Sequence, residues 1–122
     1  AEGGSEGWIE RFIDYWNHPG MWASMPEKAR AMTRPVGWKM FREVCSVSTE
    51  PQPFAHYQLD LPVTLVHGER TTPPAQAMVS RLAEVNPQAV VDTLPGLGHM
   101  GLLGDPASVR ASLQRHWARV IA

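Results

Sequence analysis

One cysteine, Cys45, in 122 residues leaves no partner for an internal disulfide. Its neighbours in "FREVCSVS" place it on the apolar side of a helix, as a small hydrophobe rather than a reactive thiol. Apolar runs are a few residues long at most, so no segment is fit to span a bilayer. Charge of neither sign dominates: 11 Lys and Arg oppose 12 Asp and Glu, for a net charge of -1. That balance offers nothing to attract nucleic acid or an anionic membrane, and neither is expected as a partner. No His, Cys or carboxylate pair has metal-ligand spacing, and no phosphate loop is present. "GLGHMG" has the glycines of a dinucleotide turn but no acidic ribose reader downstream. Neither a metal nor another cofactor is therefore expected. The opening "AEGGSEG" lacks the basic start and apolar stretch of a signal peptide and reads as a linker or a remnant of processing. The expected compartment is the cytoplasm.

What the chain does have is 43% apolar residues with five tryptophans, enough for a globular core in one domain-sized length. It divides into two textures. Residues 1–57 carry helical spacing without a strand signal. Trp8, Ile9, Phe12, Ile13 and Trp16 stripe one side of a helix that Ser5 caps and "NHPG" stops. Pro26 opens a second helix through Ala29 and Met32. A third runs from Pro35, with Val36, Met40 and Val44 on one face, until "STEPQPF" ends it. Three or four short helices joined by prolines are expected here.

Residues 58–122 read differently. "LPVTLVHG" is a continuous apolar, β-branched run, the texture of a strand buried on both faces. A helix follows, opened by Thr72 and proline and closed at Asn86 and Pro87, with Met78, Val79, Leu82 and Val85 inward. "QAVVDTLP" is a second strand. After a glycine-rich turn, Asp105 caps a last helix that starts at Pro106 and keeps its apolar period through Val109, Leu113, Trp117 and Val120. Strand, helix, strand, turn, helix is a βαβα unit of the α/β class with parallel strands. Two such strands rarely make a whole sheet, so the chain looks like part of a larger structure.

The segments "LDLPVTLVHGE", "TPPAQAMVSRLAEVNP" and "VVDTLPGLGHMGLLGDPASV", taken in order, resemble the C-terminal end of the α/β-hydrolase fold. "GWIERFIDYWNHPGMWASMPEKARAM" is similar to the helical cap that many such hydrolases insert before their last two strands. The resemblance implies a partial α/β-hydrolase fold, a helical cap followed by the βαβα unit, with the nucleophile-bearing N-terminal half absent. It also implies that His99 is the histidine of a catalytic triad. Gly96, Gly98 and Gly101 would allow the tight turn, and Met100 and Leu102 would pack around the ring.

The other triad members are harder to place. No G-x-S-x-G elbow occurs; "GGSEG" around Ser5 has similar letters but no preceding strand. The resemblance puts the acid three residues after the glycine ending the first strand, where this chain has Thr71, which carries no charge to stabilise an imidazolium. Glu69 is the candidate replacement, its other reading being a solvated carboxylate or an arginine partner. Asp14, on a cap helix, and Asp92, within a strand, are poorer candidates. His67 ends the first strand, where a hydrogen-bonded role competes with lining the site. His18, His56 and His116 occupy loop or helix-surface positions. Trp16, Trp22, Met25 and Met100 are candidates to bind a small, largely apolar substrate, the tryptophans and Met25 serving equally as core of the helical layer.

Two functions are therefore expected. The first is the C-terminal portion of a serine-type ester hydrolase, which supplies the cap and the triad histidine, works with a complementary N-terminal hydrolase chain and is inactive alone. The second is a non-catalytic, self-associating homodimer derived from such a fragment, which binds a small apolar ligand. A regulatory or nucleic-acid module has only negative support.

Overall fold

The computed structural model describes residues 3–121, a mixed chain of helices with one sheet of two parallel strands. These residues form two compact units that divide between Pro51 and Gln52.

The first unit is helical. α1 (Glu6–Trp16) starts where the Ser5 hydroxyl accepts the Trp8 N–H at 3.4 Å, and it ends at Asn17. A short helix α2 (Met21–Ser24) and then α3 (Glu27–Thr33) follow. A 3₁₀ turn (Arg34–Val36) leads into α4 (Gly37–Ser48). Ile9 of α1 is buried, and Gly37 admits it: a Cβ on Gly37 would lie 2.4 Å from Ile9 Cδ1. Trp8 stacks on Phe12 at 5.0 Å between centroids and meets Phe41 edge-on at 5.5 Å. Asp14 closes the turn into α2 by accepting the Gly20 and Trp22 N–H groups at 2.7 and 2.8 Å. Those two amides hold its carboxyl below the ordinary carboxylate range.

The second unit contains β1 (Thr64–Gly68), α5 (Pro73–Val85), β2 (Val90–Leu94), the short α6 (Gly101–Gly104) and α7 (Pro106–Val120). The strands run parallel, with Thr64 opposite Val90 and Gly68 opposite Leu94. This is the expected βαβα order. Residues 52–57, grouped with the helices by texture, belong to the strand unit instead. The reason is Asn86 at the end of α5, buried to 2% exposure. Its Oδ1 accepts the Leu59 N–H at 2.8 Å, and its Nδ2 donates to the Tyr57 and Leu82 carbonyls at 3.0 and 2.9 Å.

Burial differs from expectation in the strands and on α5. The strands are not covered on both faces: Val90 and Val91, whose side chains leave the sheet in opposite directions, are 46% and 44% exposed. Met78 on α5 points to solvent rather than inward. On α7 the apolar stripe is outward, with Leu113, Val120 and Trp117 exposed, the last at 66%. The helix lies on the strands by its polar side. Arg115 Nη2 is 2.5 Å from Asp92 Oδ2, His116 Nδ1 is 2.9 Å from Thr64 Oγ1, and Arg119 Nη2 donates to the Val63 carbonyl at 2.7 Å. Ser112 beside Asp92 is almost completely buried. These directional bonds, spaced along one side of the helix, orient it against its apolar period.

Candidate functional site

The carboxyl end of a parallel sheet is where loops converge and ligands bind in α/β proteins. Here the loop leaving β1, residues 69–72, and the loop leaving β2, residues 95–100, meet at that end, and His99 sits half-buried in the second of them. The two loops are laced together. Glu69 N–H donates to the Leu94 carbonyl at 3.0 Å and Arg70 N–H to the Leu97 carbonyl at 2.8 Å. Gly96 is gripped from both sides: its N–H donates to Glu69 Oε2 at 2.7 Å, and its carbonyl accepts Arg70 Nε at 2.9 Å as well as Arg70 Nη2. Thr71 Oγ1 hydrogen-bonds His99 Nδ1 at 3.0 Å.

Two glycines make this possible. Gly96 has φ of 69°, the left-handed region that glycine adopts without strain. Gly68, the last residue of β1, is approached so closely that a Cβ there would lie 2.4 Å from the Leu97 carbonyl oxygen and 2.5 Å from that of Gly98. The turn was expected to need Gly98 too, but nothing lies within 4 Å of a Cβ at that position. At Gly101 the crowding is real, from Leu97 Cβ at 2.6 Å.

The expected site residues fall into distinct places. His99, Glu69 and Met100 share the loop cluster, Met100 exposed at the start of α6. Glu69 spends Oε2 on the Gly96 amide, while the bond to His99 Nδ1 comes from Thr71, the residue set aside for lacking charge. Trp16, Trp22 and Met25 belong to the helical unit. Trp22 is buried there at 3% exposure, with the Arg30 and Arg34 guanidinium carbons 6.0 and 5.9 Å from its ring. Trp16 meets Tyr15 edge-on at 5.2 Å, and Met25 is half-buried after α2. His67 has a bonded role: its Nδ1 donates to the Gly68 carbonyl at 3.0 Å, and its Nε2 lies 3.0 Å from Oγ1 of the cross-strand Thr93. Asp92 is tied to α7, where the Ser112 hydroxyl and the Arg115 guanidinium keep its carboxyl below the ordinary range.

Sequence reasoning missed Gly68 and Arg70. A glycine closing an apolar strand is a signal for close backbone approach, so Gly68 was readable. Arg70 carried no such signal. An open groove of about 810 Å³, lined in part by Ala55, Leu59, Leu61, Pro62 and Gln88, lies along the segment before β1 and not at His99. Among the described residues no group of three or more His, Cys, Asp or Glu is placed to hold a metal, and no helix is long and apolar enough to cross a membrane.

Comparison with known proteins adds no relative. No protein-family profile, curated protein or solved structure significantly matches the chain.

Proposed function

We propose that this chain is the C-terminal portion of an α/β-hydrolase and that His99 is its proton shuttle. The observation that carries the reading is a histidine held by a buried hydroxyl in a braced loop at the carboxyl end of a parallel strand pair. The reaction is acyl transfer to a serine lying outside residues 1–122, on the same polypeptide or on a second one. The serine oxygen attacks an ester carbonyl while His99 takes its proton, and the imidazolium returns that proton to the departing alcohol. Water then repeats the sequence on the acyl-enzyme, releasing the acid. The substrate class is small and largely apolar esters, and residues up to Pro51 contribute the helical cap. On its own the 122-residue chain turns nothing over.

A second reading is favoured by the exposed Val90 and Val91 and by the outward Leu113–Trp117 side of α7. In it the chain self-associates to cover that surface, as a homodimer that binds an apolar ligand without catalysis.

The test is the intact mass of all species in the purified sample, first denatured and then native. A second polypeptide bearing a strand–serine–helix elbow, with ester turnover abolished by His99→Ala, supports the hydrolase reading. A single species at twice the chain mass with no turnover overturns it in favour of the dimer.

A further inference from the structure

Thr71 is the least exposed residue of its loop, at 6%, and its hydroxyl is aimed at a histidine ring. Its backbone is fixed at both ends. Thr71 N–H donates to the Gly68 carbonyl at 3.1 Å, and the Gln76 side chain, reaching back from the first turns of α5, donates to the Thr71 carbonyl at 3.2 Å and to that of Glu69 at 3.2 Å. The histidine loop is fixed equally well, by Glu69 and Arg70 at Gly96 and by Arg70 N–H at Leu97. Two clamped backbones thus bring one hydroxyl and one imidazole nitrogen to hydrogen-bond distance, with no rotatable linkage between them except the two side chains themselves. A buried threonine hydroxyl left unpaired would cost more than the bond contributes, so the contact is not incidental to packing.

We infer that Thr71 is the positioning residue of His99: its hydroxyl, bonded to Nδ1, sets the orientation of the imidazole. Glu69 and Arg70, the charged neighbours of Thr71 in the loop, are occupied in holding Gly96 and act on the loop rather than on Nδ1. His99 is thereby partnered at Nδ1 by a neutral group that fixes its geometry and adds no charge. The catalytic meaning of this arrangement rests on the hydrolase reading; the contact itself does not.

The test is ¹⁵N–¹H NMR of the histidine rings in the wild-type chain and in Thr71→Val and Thr71→Ser at one fixed pH. In the wild type the His99 ring has one orientation, with nuclear Overhauser contacts to Thr71. Thr71→Val, nearly the same in shape, weakens those contacts and broadens the ring signals as the imidazole turns away, and Thr71→Ser restores them. Thr71→Val with His99 ring signals and contacts like those of the wild type overturns the inference. Should Thr71→Val fail to fold, Thr71→Ala takes its place with the same two outcomes. A negative result here leaves the search for ester turnover and a serine-bearing partner untouched, and failure of that search leaves the ring spectra standing.

Discussion

Replacing Gly68 by alanine tests whether the histidine loop is held by backbone approach. The added methyl would sit 2.4 Å from the Leu97 carbonyl oxygen and 2.5 Å from that of Gly98. Ordinary carbon–oxygen contact begins near 3.4 Å, so the loop must retreat by about 1 Å, and both obstacles are main chain that no rotamer change can remove. The Arg70 N–H bond to that same Leu97 carbonyl, now 2.8 Å, is the first to be lost. Overpacking of this kind costs about 1–3 kcal/mol, and the backbone nature of the clash places Gly68→Ala near the upper end. Urea unfolding followed by circular dichroism gives the stability change. The His99 ring resonance gives the local one, and it shifts because the ring moves away from Thr71. Under the hydrolase reading proposed above, a 1 Å displacement of His99 would lower ester turnover by about 10²-fold. A Gly68→Ala chain with wild-type stability and an unmoved His99 signal would refute the reasoning, since the loops would then not touch as described.

Asn86 supports a second test. Asn86→Ala removes two bonds from the end of α5 to the 57–59 segment and one to the Leu82 carbonyl of α5 itself, costing about 2–3 kcal/mol in urea unfolding. Asn86→Asp is worse at neutral pH, because its second oxygen faces carbonyls; its folded-state pKa is raised, so this variant gains stability as pH falls through that value, which unfolding at pH 7 and pH 4 would detect. Asp92 behaves in the opposite sense. Its folded pKa is depressed by Ser112 and Arg115, so its contribution is complete above the ordinary carboxylate range and is lost as pH falls through the lower folded value. Asp92→Asn accordingly flattens the acid limb of the stability curve, by about 1 kcal/mol or less given the exposure of Arg115. Finally, Leu113→Glu with Trp117→Lys changes folding stability by only about 0.5 kcal/mol, because both side chains face solvent. If the chain self-associates through α7, native mass spectrometry shows the pair reducing the dimer; an undiminished dimer places the interface elsewhere.

Much of this architecture is local and was legible in the sequence. Ser5 and Asp105 cap α1 and α7 as their types predict, because capping needs only a side-chain oxygen two or three residues before an unpaired amide. The βαβα order followed from period and punctuation alone, and so did a histidine in a glycine turn after the last strand. Other features depend on parts of the chain distant in sequence. The partner of His99 Nδ1 comes from 28 positions earlier, and no spacing rule chooses between the charge of Glu69 and the hydroxyl of Thr71. Only the loop geometry does, by turning the Glu69 carboxylate onto the Gly96 amide and Thr71 inward. The apolar period of α7 marked a helix but not its buried face, because Arg115, His116 and Arg119 bond to strand groups that adjoin them only in the folded chain. Sequence by itself determined which elements form, since those choices are made within a few residues. Tertiary structure decided which side of each element is covered and which group holds the histidine, since burial and hydrogen bonding are settled between neighbours in space.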